Sequence, residues 1–337
     1  MEKGLRTADF DYDLPESFIA NDPVVPRDHS KLMVWEGGQV QHRIFYEIAD
    51  FLRPGDCVVV NQSKVIAARL RFAGKEIFLL QEVRRYVWRC MVKPGKKFSV
   101  GARMQVAEDL GAEVLEILED GSRVVRFDGD PLKSGEIPLP PYIKDSRADF
   151  DQYQTVYSQD EGSVAAPTAG LHFTEELIEK LRRQGVKWEQ VTLHVGRGTF
   201  LPVKSEFVGD HEMHSEFFEI GEGVAKRLNE VKAAGGRVIA VGTTSVRVLE
   251  SSWQNGRFVA NSGETDIYIY PGGYKWKAVD GLVTNFHLPK SSLIMLVASF
   301  LENCGAKDGR QEALRLYEGA KGQGYRFYSF GDAMFIS

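Results

Sequence analysis

Cysteine is scarce in this chain of 337 residues, which contains only Cys57, Cys90 and Cys304. An odd number of widely spaced cysteines does not suit a disulfide framework or a cysteine-based zinc site. Because such a chain has no need of an oxidising environment, we expect it to be cytoplasmic.

Long apolar runs are also missing. The longest run, 293–301, has nine residues, whereas a membrane helix needs about 20. The first residues of the chain lack the apolar segment of a signal peptide. We therefore expect a buried helix at 291–302 and no membrane partner.

The net charge is small, −5 at neutral pH, which argues mildly against nucleic acid as a partner. Its distribution argues the other way, because segment 65–105 has ten basic and two acidic residues while the rest of the chain carries −13. A basic segment attracts phosphate groups. The alternative is a solvated outer face of a sheet. The candidate phosphate-binding residues are Arg84, Arg85, Arg89, Lys93, Lys96 and Lys97.

The order of strand and helix signals indicates two kinds of domain. Residues 56–60 have the pattern of a buried strand, and short β-prone runs separated by glycine and proline turns extend from 67 to about 130. Beyond 150, predicted strands (191–195, 237–242, 266–270, 279–287 and 325–336) alternate with predicted helices after Thr174, at 222–234, from about 245, at 291–302 and at 308–320. We predict an α/β main domain (a mixed sheet with helices, residues 1–66 plus 150–337) and an inserted all-β, barrel-like domain (67–149).

Five polar stretches combine glycines with side chains that a core does not need: 61–66, 165–173, 194–200 with 211–216, 242–247 and 285–290. In the fourth stretch a strand ends in Gly-Thr-Thr-Ser and a helix begins. Such a helix terminus attracts a carboxylate or phosphate, and Arg247 can add a bidentate contact; ordinary N-capping is the alternative. The candidate substrate-binding residues of the five stretches are Asn61, Thr168, Gly170, Phe173, Gly198, Thr199, Thr243, Thr244, Ser245, Arg247 and Asn285.

Five of the seven histidines lie in these stretches. Histidine transfers protons near neutral pH, although at any one position a hydrogen-bonded structural histidine is the alternative. His211 and His214 do not form a His-Glu-x-x-His motif, and no cluster of Cys or Asp adds ligands, so no metal site is predicted. The candidate catalytic residues are His172, His194, His214, Glu216 and His287.

Taken together, the stretches resemble the S-adenosylmethionine:tRNA ribosyltransferase-isomerase family of queuosine biosynthesis. The resemblance runs from Asp9 to Met334 in the family's order. Two departures stand out: Ala67 replaces a usual proline, and Leu201 a usual arginine close to Arg197, so neither Arg197 nor Leu201 is given a role. The most specific motifs are Asn61-Gln62-Ser63-Lys64-Val65-Ile66, Pro167-Thr168-Ala169-Gly170-Leu171-His172-Phe173, Gly242-Thr243-Thr244-Ser245-Val246-Arg247 and Asn285-Phe286-His287-Leu288-Pro289.

The resemblance implies an enzyme that uses S-adenosylmethionine as a co-substrate and donor of ribosyl carbons. The acceptor would be the aminomethyl-deazaguanine base at the tRNA wobble position, and the products epoxyqueuosine-tRNA, adenine and methionine. Three proton transfers would involve the histidines and Glu216, without a metal. The methionine carboxylate would bind at the Thr243–Arg247 helix terminus and tRNA phosphates at the six basic residues. We expect a monomer.

Two alternatives from other classes remain. One is a tRNA-binding module without catalysis, and the other is an S-adenosylmethionine-dependent tRNA methyltransferase, whose glycine-rich strand–turn motif is not visible here. The reaction products distinguish all three, because only the first enzyme releases adenine and methionine.

Overall fold

The computed structural model of the protein describes residues 4–140, 142–143, 146, 148, 151–196 and 203–337. The chain divides into two compact units. The larger unit contains residues up to 63, 141–160 and 167–337, and the smaller contains 64–140 and 161–166. Within the described ranges, no helix is long and apolar enough to cross a membrane.

The α-helices are α1 (Glu175–Arg183), α2 (Glu222–Ala233), α3 (Gly242–Ser251), α4 (Ser292–Asn303) and α5 (Gly309–Gly322). The strands, in chain order, are β1 (Lys31–Glu36), β2 (Gln39–Ile44), β3 (Cys57–Asn61), β4 (Ser63–Val65), β5 (Arg69–Phe72), β6 (Lys75–Arg84), β7 (Val87–Lys93), β8 (Arg103–Ala107), β9 (Leu110–Ile117), β10 (Arg123–Phe127), β11 (Asp160–Ser163), β12 (Lys187–Leu193), β13 (Glu216–Ile220), β14 (Val238–Val241), β15 (Trp253–Gln254), β16 (Arg257–Phe258), β17 (Asn261–Thr265), β18 (Gly281–Asn285) and β19 (Ala333–Ile336).

Nine strands of the larger unit form one mixed sheet in the order β17-β13-β12-β3-β14-β18-β19-β1-β2. The four central strands, β12, β3, β14 and β18, are parallel to one another, and β13 and β17 continue the sheet antiparallel. Every residue of β3 is buried, as expected for a central strand covered on both faces. The core includes Val58, Val60, Leu177, Leu181, Ile239, Val241 and Val283. The predicted mixed sheet with helices is confirmed.

The helix after β11, α1, shows how local sequence sets an element's ends. The Thr174 hydroxyl accepts a hydrogen bond from the Leu177 backbone N–H at 3.1 Å, and two glutamates occupy the first turn, where the helix dipole favours negative charge. Gly185, with φ of +82°, follows the helix end. The predicted start and end of this helix are confirmed.

The smaller unit is a six-stranded antiparallel sheet in the order β5-β6-β7-β10-β9-β8. The two outermost strands, β5 and β8, contact each other, so the sheet is nearly closed into a barrel. Its core contains Ile77, Leu79, Cys90, Val114 and Val125. The prediction of an all-β, barrel-like structure is confirmed. This unit spans 64–140 and 161–166, whereas the predicted inserted domain spans 67–149.

Two predicted strands are wrong in whole or part. Residues 266–270 lie beyond the end of β17 and form no ladder; the Tyr268 hydroxyl donates to Met295 Sδ at 3.0 Å instead. Of the predicted strand 325–336 only β19 exists. The preceding residues turn because Tyr328 has φ of +69° and the Asp332 carboxylate accepts from the Arg326 backbone N–H at 2.7 Å.

Candidate active site

The carboxyl ends of the four parallel strands lie along one edge of the large sheet. Asn61 ends β3, His194 follows β12, α3 follows β14 directly, and Asn285 ends β18. Ligands of α/β sheets bind at the carboxyl ends of strands. The sheet therefore gathers four of the five polar stretches at the place where a site is expected, and Glu216, which begins antiparallel β13 beside β12, lies at the same edge.

His172 is buried in a closed hydrogen-bond chain. The Thr168 hydroxyl donates to Asn285 Oδ1 at 3.0 Å, and the Asn285 amide nitrogen lies 3.2 Å from His172 Nε2. Since the amide donates to Nε2, the proton sits on Nδ1, which donates to Ser30 Oγ at 2.7 Å. Burial lowers the pKa of His172 to about 3, with smaller contributions from Arg326 and Arg27. The ring is neutral and both of its nitrogens are bonded to protein.

Gly170 and Phe173 serve packing. A Cβ on Gly170 would lie 1.8 Å from the Tyr157 hydroxyl oxygen, so only glycine fits. Phe173 is fully buried and makes edge-on contacts with Phe45 and Trp188, with ring centroids 4.9 and 5.2 Å apart. The predicted substrate contact of Phe173 is therefore not supported by its position in the core.

Asn61 joins the ends of β3 and β12. Its amide nitrogen donates to the Leu193 carbonyl at 2.9 Å, and its Oδ1 accepts from the Leu193 backbone N–H at 3.1 Å. Asn61 is completely buried and its amide is occupied by these backbone groups, so it shapes the strand ends where His194 begins.

His194 has one bonded and one open ring nitrogen. Its Nδ1 lies 3.4 Å from Ser63 Oγ, and Ser63 already donates its proton to the Leu193 carbonyl at 2.5 Å. Nδ1 must therefore carry the proton, which leaves Nε2 as a lone-pair acceptor without a hydrogen-bond partner in the described part of the chain. Burial lowers the pKa of His194, although Asp160 and Glu219 oppose the shift, so the half-buried ring is neutral.

Glu216 and Arg247 form a buried ion pair. Glu216 Oε1 also accepts from the Gly196 backbone N–H at 2.8 Å, and Arg247 donates to the Thr265 carbonyl at 2.9 Å. Burial lowers the pKa of Arg247 to about 10, so it stays charged at neutral pH. Arg247 faces Glu216, and the two together hold the chain that follows His194.

The first turn of α3 carries Thr243, Thr244 and Ser245, all buried. No side chain caps this helix; its N-cap residue is Val241. The Ser245 hydroxyl bonds to the Val241 carbonyl at 2.7 Å, as serine commonly does inside a helix. The Thr244 hydroxyl oxygen is buried and has no hydrogen-bond partner in the part of the chain that the structure describes.

His287 follows Asn285 at the end of β18. Its Nε2 lies 2.8 Å from the Thr284 hydroxyl, and its Nδ1 has no partner among the described residues. Burial lowers the pKa of this ring. His214, by contrast, is exposed, and its backbone carbonyl accepts from Arg247 at 3.5 Å.

The structure does not describe two of the predicted substrate-binding residues. Gly198 and Thr199, with Arg197 and Leu201, lie outside the described residues. Within the described ranges, no group of three or more His, Cys, Asp or Glu side chains is arranged to hold a metal ion.

The six candidate phosphate-binding residues form two groups in the smaller unit. Arg84 and Arg85 lie at the turn between β6 and β7, whereas Lys93, Lys96 and Lys97 lie at the other end of β7, about 20 Å away for seven residues of strand. Arg89, between them, is paired with Asp120 at 2.7 Å. The six residues therefore do not form one continuous cluster, and their binding of phosphate stays a prediction.

Sequence reasoning missed two residues of the site. Ser63 lies in a stretch that was singled out, but nothing in the sequence shows that its hydroxyl faces His194. Ser30 lies in none of the five stretches and contacts His172 only because β1 is placed beside β19 in the sheet.

An α/β sheet with a helix N-terminus and several histidines at its carboxyl edge is typical of an enzyme that binds a small, charged ligand there. The family described as queuosine biosynthesis protein matches residues 7–336. Proteins of Clostridium kluyveri and Acetivibrio thermocellus, each named S-adenosylmethionine:tRNA ribosyltransferase-isomerase, are 50% identical to this chain over 98% of it and 100% of their own length. The crystal structure of the S-adenosylmethionine tRNA ribosyltransferase from Thermotoga maritima is 39% identical, covers 98% of this chain and 100% of its own, and has a TM-score of 0.57.

The chain belongs to the queuosine biosynthesis protein family. This confirms the predicted family and the predicted class of enzyme, a transferase-isomerase.

Proposed function

We propose that this protein carries out the reaction for which its relatives are named. It transfers the ribosyl carbons of S-adenosylmethionine to the aminomethyl-deazaguanine wobble base of a tRNA and isomerises them, giving epoxyqueuosine-tRNA, adenine and methionine. The observation that carries the proposal is the match with relatives of the same length over 98% of this chain. The gathering of the polar stretches at one sheet edge supports it.

The chemistry needs three proton transfers. A base removes the acidic proton beside the sulfonium, an acid assists the departure of adenine, and the acceptor amine loses a proton before it attacks. A histidine that takes part must present one ring nitrogen to the substrate. His194 Nε2 and His287 Nδ1 meet this condition, and we assign proton transfer to them.

His172 then acts by position. Its two nitrogens are bonded to Ser30 and Asn285, and its low pKa keeps it neutral. It fixes the Asn285 amide, and through it the Thr168 hydroxyl, at the sheet edge. Catalysis by His172 itself remains a prediction that this geometry does not favour.

Glu216 is the counter-ion of Arg247, which favours its ionised form. Because both carboxylate oxygens are engaged by protein groups, we assign Glu216 the role of holding Gly196 and the chain after His194. The Arg247 contact to a substrate carboxylate also remains a prediction, and its guanidinium is engaged by Glu216 and Thr265.

The exposed basic residues of the smaller unit are the proposed tRNA-phosphate contacts. We propose this unit to be the inserted domain of an enzyme that acts as a cytoplasmic monomer. The reaction transfers no electrons to an acceptor, and the proposed chemistry uses side chains alone, so no metal or redox cofactor is assigned to it.

One assay tests the proposed reaction against its two alternatives. The purified protein is incubated with S-adenosylmethionine and a tRNA carrying the precursor base, and the small products are separated. Adenine and methionine in equal amounts are expected. S-adenosylhomocysteine instead would identify a methyltransferase, and tRNA binding without any product would identify a binding module.

A further inference from the structure

The N-terminus of α3 has the features of a built oxyanion site. α3 has ten residues, its first backbone N–H groups point away from the helix, and no side chain caps them. Gly242, the first residue of α3, has φ of +83°. A helix end that is left uncapped inside a protein requires a partner, because its N–H groups are otherwise unsatisfied.

Thr244 is the second, independent observation. This residue is 8% exposed, and its hydroxyl oxygen has no hydrogen-bond partner among the described residues. A buried hydroxyl without a partner is destabilising, and threonine inside a helix normally avoids this by bonding to a carbonyl one turn back. The next residue, Ser245, does so; Thr244 does not.

The Thr244 hydroxyl is directed at the helix N-terminus. A Cβ on Gly242 would lie 3.5 Å from Thr244 Oγ1 and 3.7 Å from the Ala169 Cβ. The oxygen therefore lies over Gly242, and the space is bounded on another side by Ala169 of the Pro167–His172 stretch. The Thr244 hydroxyl and the positive end of the helix dipole therefore meet beside Gly242 and Ala169, and we call this position the recess.

We infer that this recess binds the carboxylate of the methionine part of S-adenosylmethionine, through backbone N–H groups of the first turn of α3 and the Thr244 hydroxyl. The inference rests on the proposed function. A single negative charge suits the recess, because the nearby cation, Arg247, is already neutralised by Glu216. The burial of all residues from Gly242 to Glu250 suits the end of a small molecule better than a phosphate within an RNA chain.

The test compares two ligands and two variants. Kinetic constants for adenine release are measured at saturating tRNA with S-adenosylmethionine and with its decarboxylated analogue, which serves as a competitive inhibitor if it does not react. Thr244→Val keeps the branched shape and removes the hydroxyl. We expect this variant to bind S-adenosylmethionine about 10-fold or more weakly, which is the range of a hydrogen bond to a charged group. Its affinity for the analogue should fall by less than about twofold.

Ser245→Ala is the matched control, because it removes a neighbouring hydroxyl that is bonded within the helix. Ser245→Ala should change the affinity for both ligands equally. Any loss of folding should also act on both ligands equally, and thermal melts record it. Equal weakening of both ligands by Thr244→Val overturns the inference, and a rise confined to the KM for tRNA assigns the recess to a phosphate instead. A wild-type protein that releases no adenine would refute the proposed function, which is a different outcome.

Discussion

At the scale of single residues, hydrogen bonds separate histidines that the sequence cannot distinguish. His172 and His194 both lie in glycine-containing stretches and both have a lowered pKa caused by burial. His172 has protein partners on both nitrogens, whereas His194 has one on Nδ1 only. The position of a proton on a ring depends on the neighbours that folding brings, and Ser30 is 142 residues from His172 in the chain.

His194→Gln is expected to lower kcat by about 10²-fold or more, because it removes a group that transfers protons. Its melting temperature should change little, since Nε2 makes no hydrogen bond to any described residue. His172→Gln should show the reverse, with a clear loss of stability and a smaller loss of kcat in the folded enzyme. Steady-state kinetics and thermal melts of both variants check this.

The control for this pair is His42→Gln, on the edge strand β2, where Nδ1 contacts the Tyr325 hydroxyl at 2.9 Å. It should keep the wild-type kcat. If His194→Gln turns over normally while His172→Gln is inactive at full stability, the assignment of proton transfer must move from His194 to His172.

At the scale of elements, sequence patterns predict helices well, because the signals lie within the helix. They predict strands poorly, because a strand depends on pairing with another strand. α1, α2, α4 and α5 end within two residues of their predicted limits where limits were given, because caps and apolar periodicity lie within the helix itself. α3 begins at Gly242, about three residues earlier than expected. Its buried first turn has no capping side chain to mark it.

Strands of the outer sheet were harder to predict. β1, β2, β13 and β17 were not predicted, although β13 alternates buried and exposed residues. Residues 266–270, Asp-Ile-Tyr-Ile-Tyr, are rich in β-prone residues and nevertheless form no strand. A strand exists only where another strand pairs with it, and the nine-stranded order joins β1 to β19, about 300 residues later, which no local pattern reports.

Gly170→Ala tests whether the most specific motif is shaped by packing. The new Cβ would lie 1.8 Å from the Tyr157 hydroxyl oxygen and 2.9 Å from Tyr157 Cζ and Thr155 Cγ2. Overpacking of this kind is destabilising by about 1–3 kcal/mol. We expect a lower free energy of unfolding in urea, and partial recovery when Tyr157→Phe removes the closest atom.

The matched control is Gly37→Ala, which has open space around its Cβ but a positive φ of +55°. It separates backbone strain from steric overlap, and Tyr157→Phe should not rescue it. Equal stability of Gly170→Ala and the wild type would show that the segment shifts freely, and a binding role for Gly170 would then need another reason.

At the scale of the whole molecule, folding places acidic residues beside the basic segment and offsets much of its charge. The segment 65–105 carries +8, but the smaller unit to which it belongs has 14 basic and 12 acidic residues, a net charge of +2. Acidic residues of β9 and of the loop after it pair with basic ones, as Glu113 does with Arg103 and Arg126 and Asp120 with Arg89. Attraction of phosphates therefore depends on the cations that remain unpaired.

The unpaired cations differ between the two ends of β7. At the turn after β7, Lys93, Lys96 and Lys97 are exposed, and Arg123 reaches the Gly95 carbonyl at 3.5 Å. At the turn before it, Arg85 lies over the Tyr86 ring at 5.0 Å, and Glu82, which accepts from the Tyr86 backbone N–H at 2.9 Å, offsets part of the charge. The first group, which consists of Lys93, Lys96, Lys97 and Arg123, therefore has the stronger positive field.

We therefore expect the Lys93–Lys97 turn to make more tRNA-phosphate contacts than the Arg84–Arg85 turn. Lys96→Ala with Lys97→Ala should raise the KM for tRNA and reduce the slope of log K against log salt by about 2, since each lost phosphate contact lowers it by about 0.7–0.9. The KM for S-adenosylmethionine should stay unchanged.

Arg84→Ala with Arg85→Ala removes the same charge and is the matched control, with a smaller expected change in slope. Both double variants lower the net charge equally, so a general effect of charge would reduce both slopes alike. That result, or an unaltered slope in both variants, would show that the Lys93–Lys97 turn is not the preferred tRNA surface.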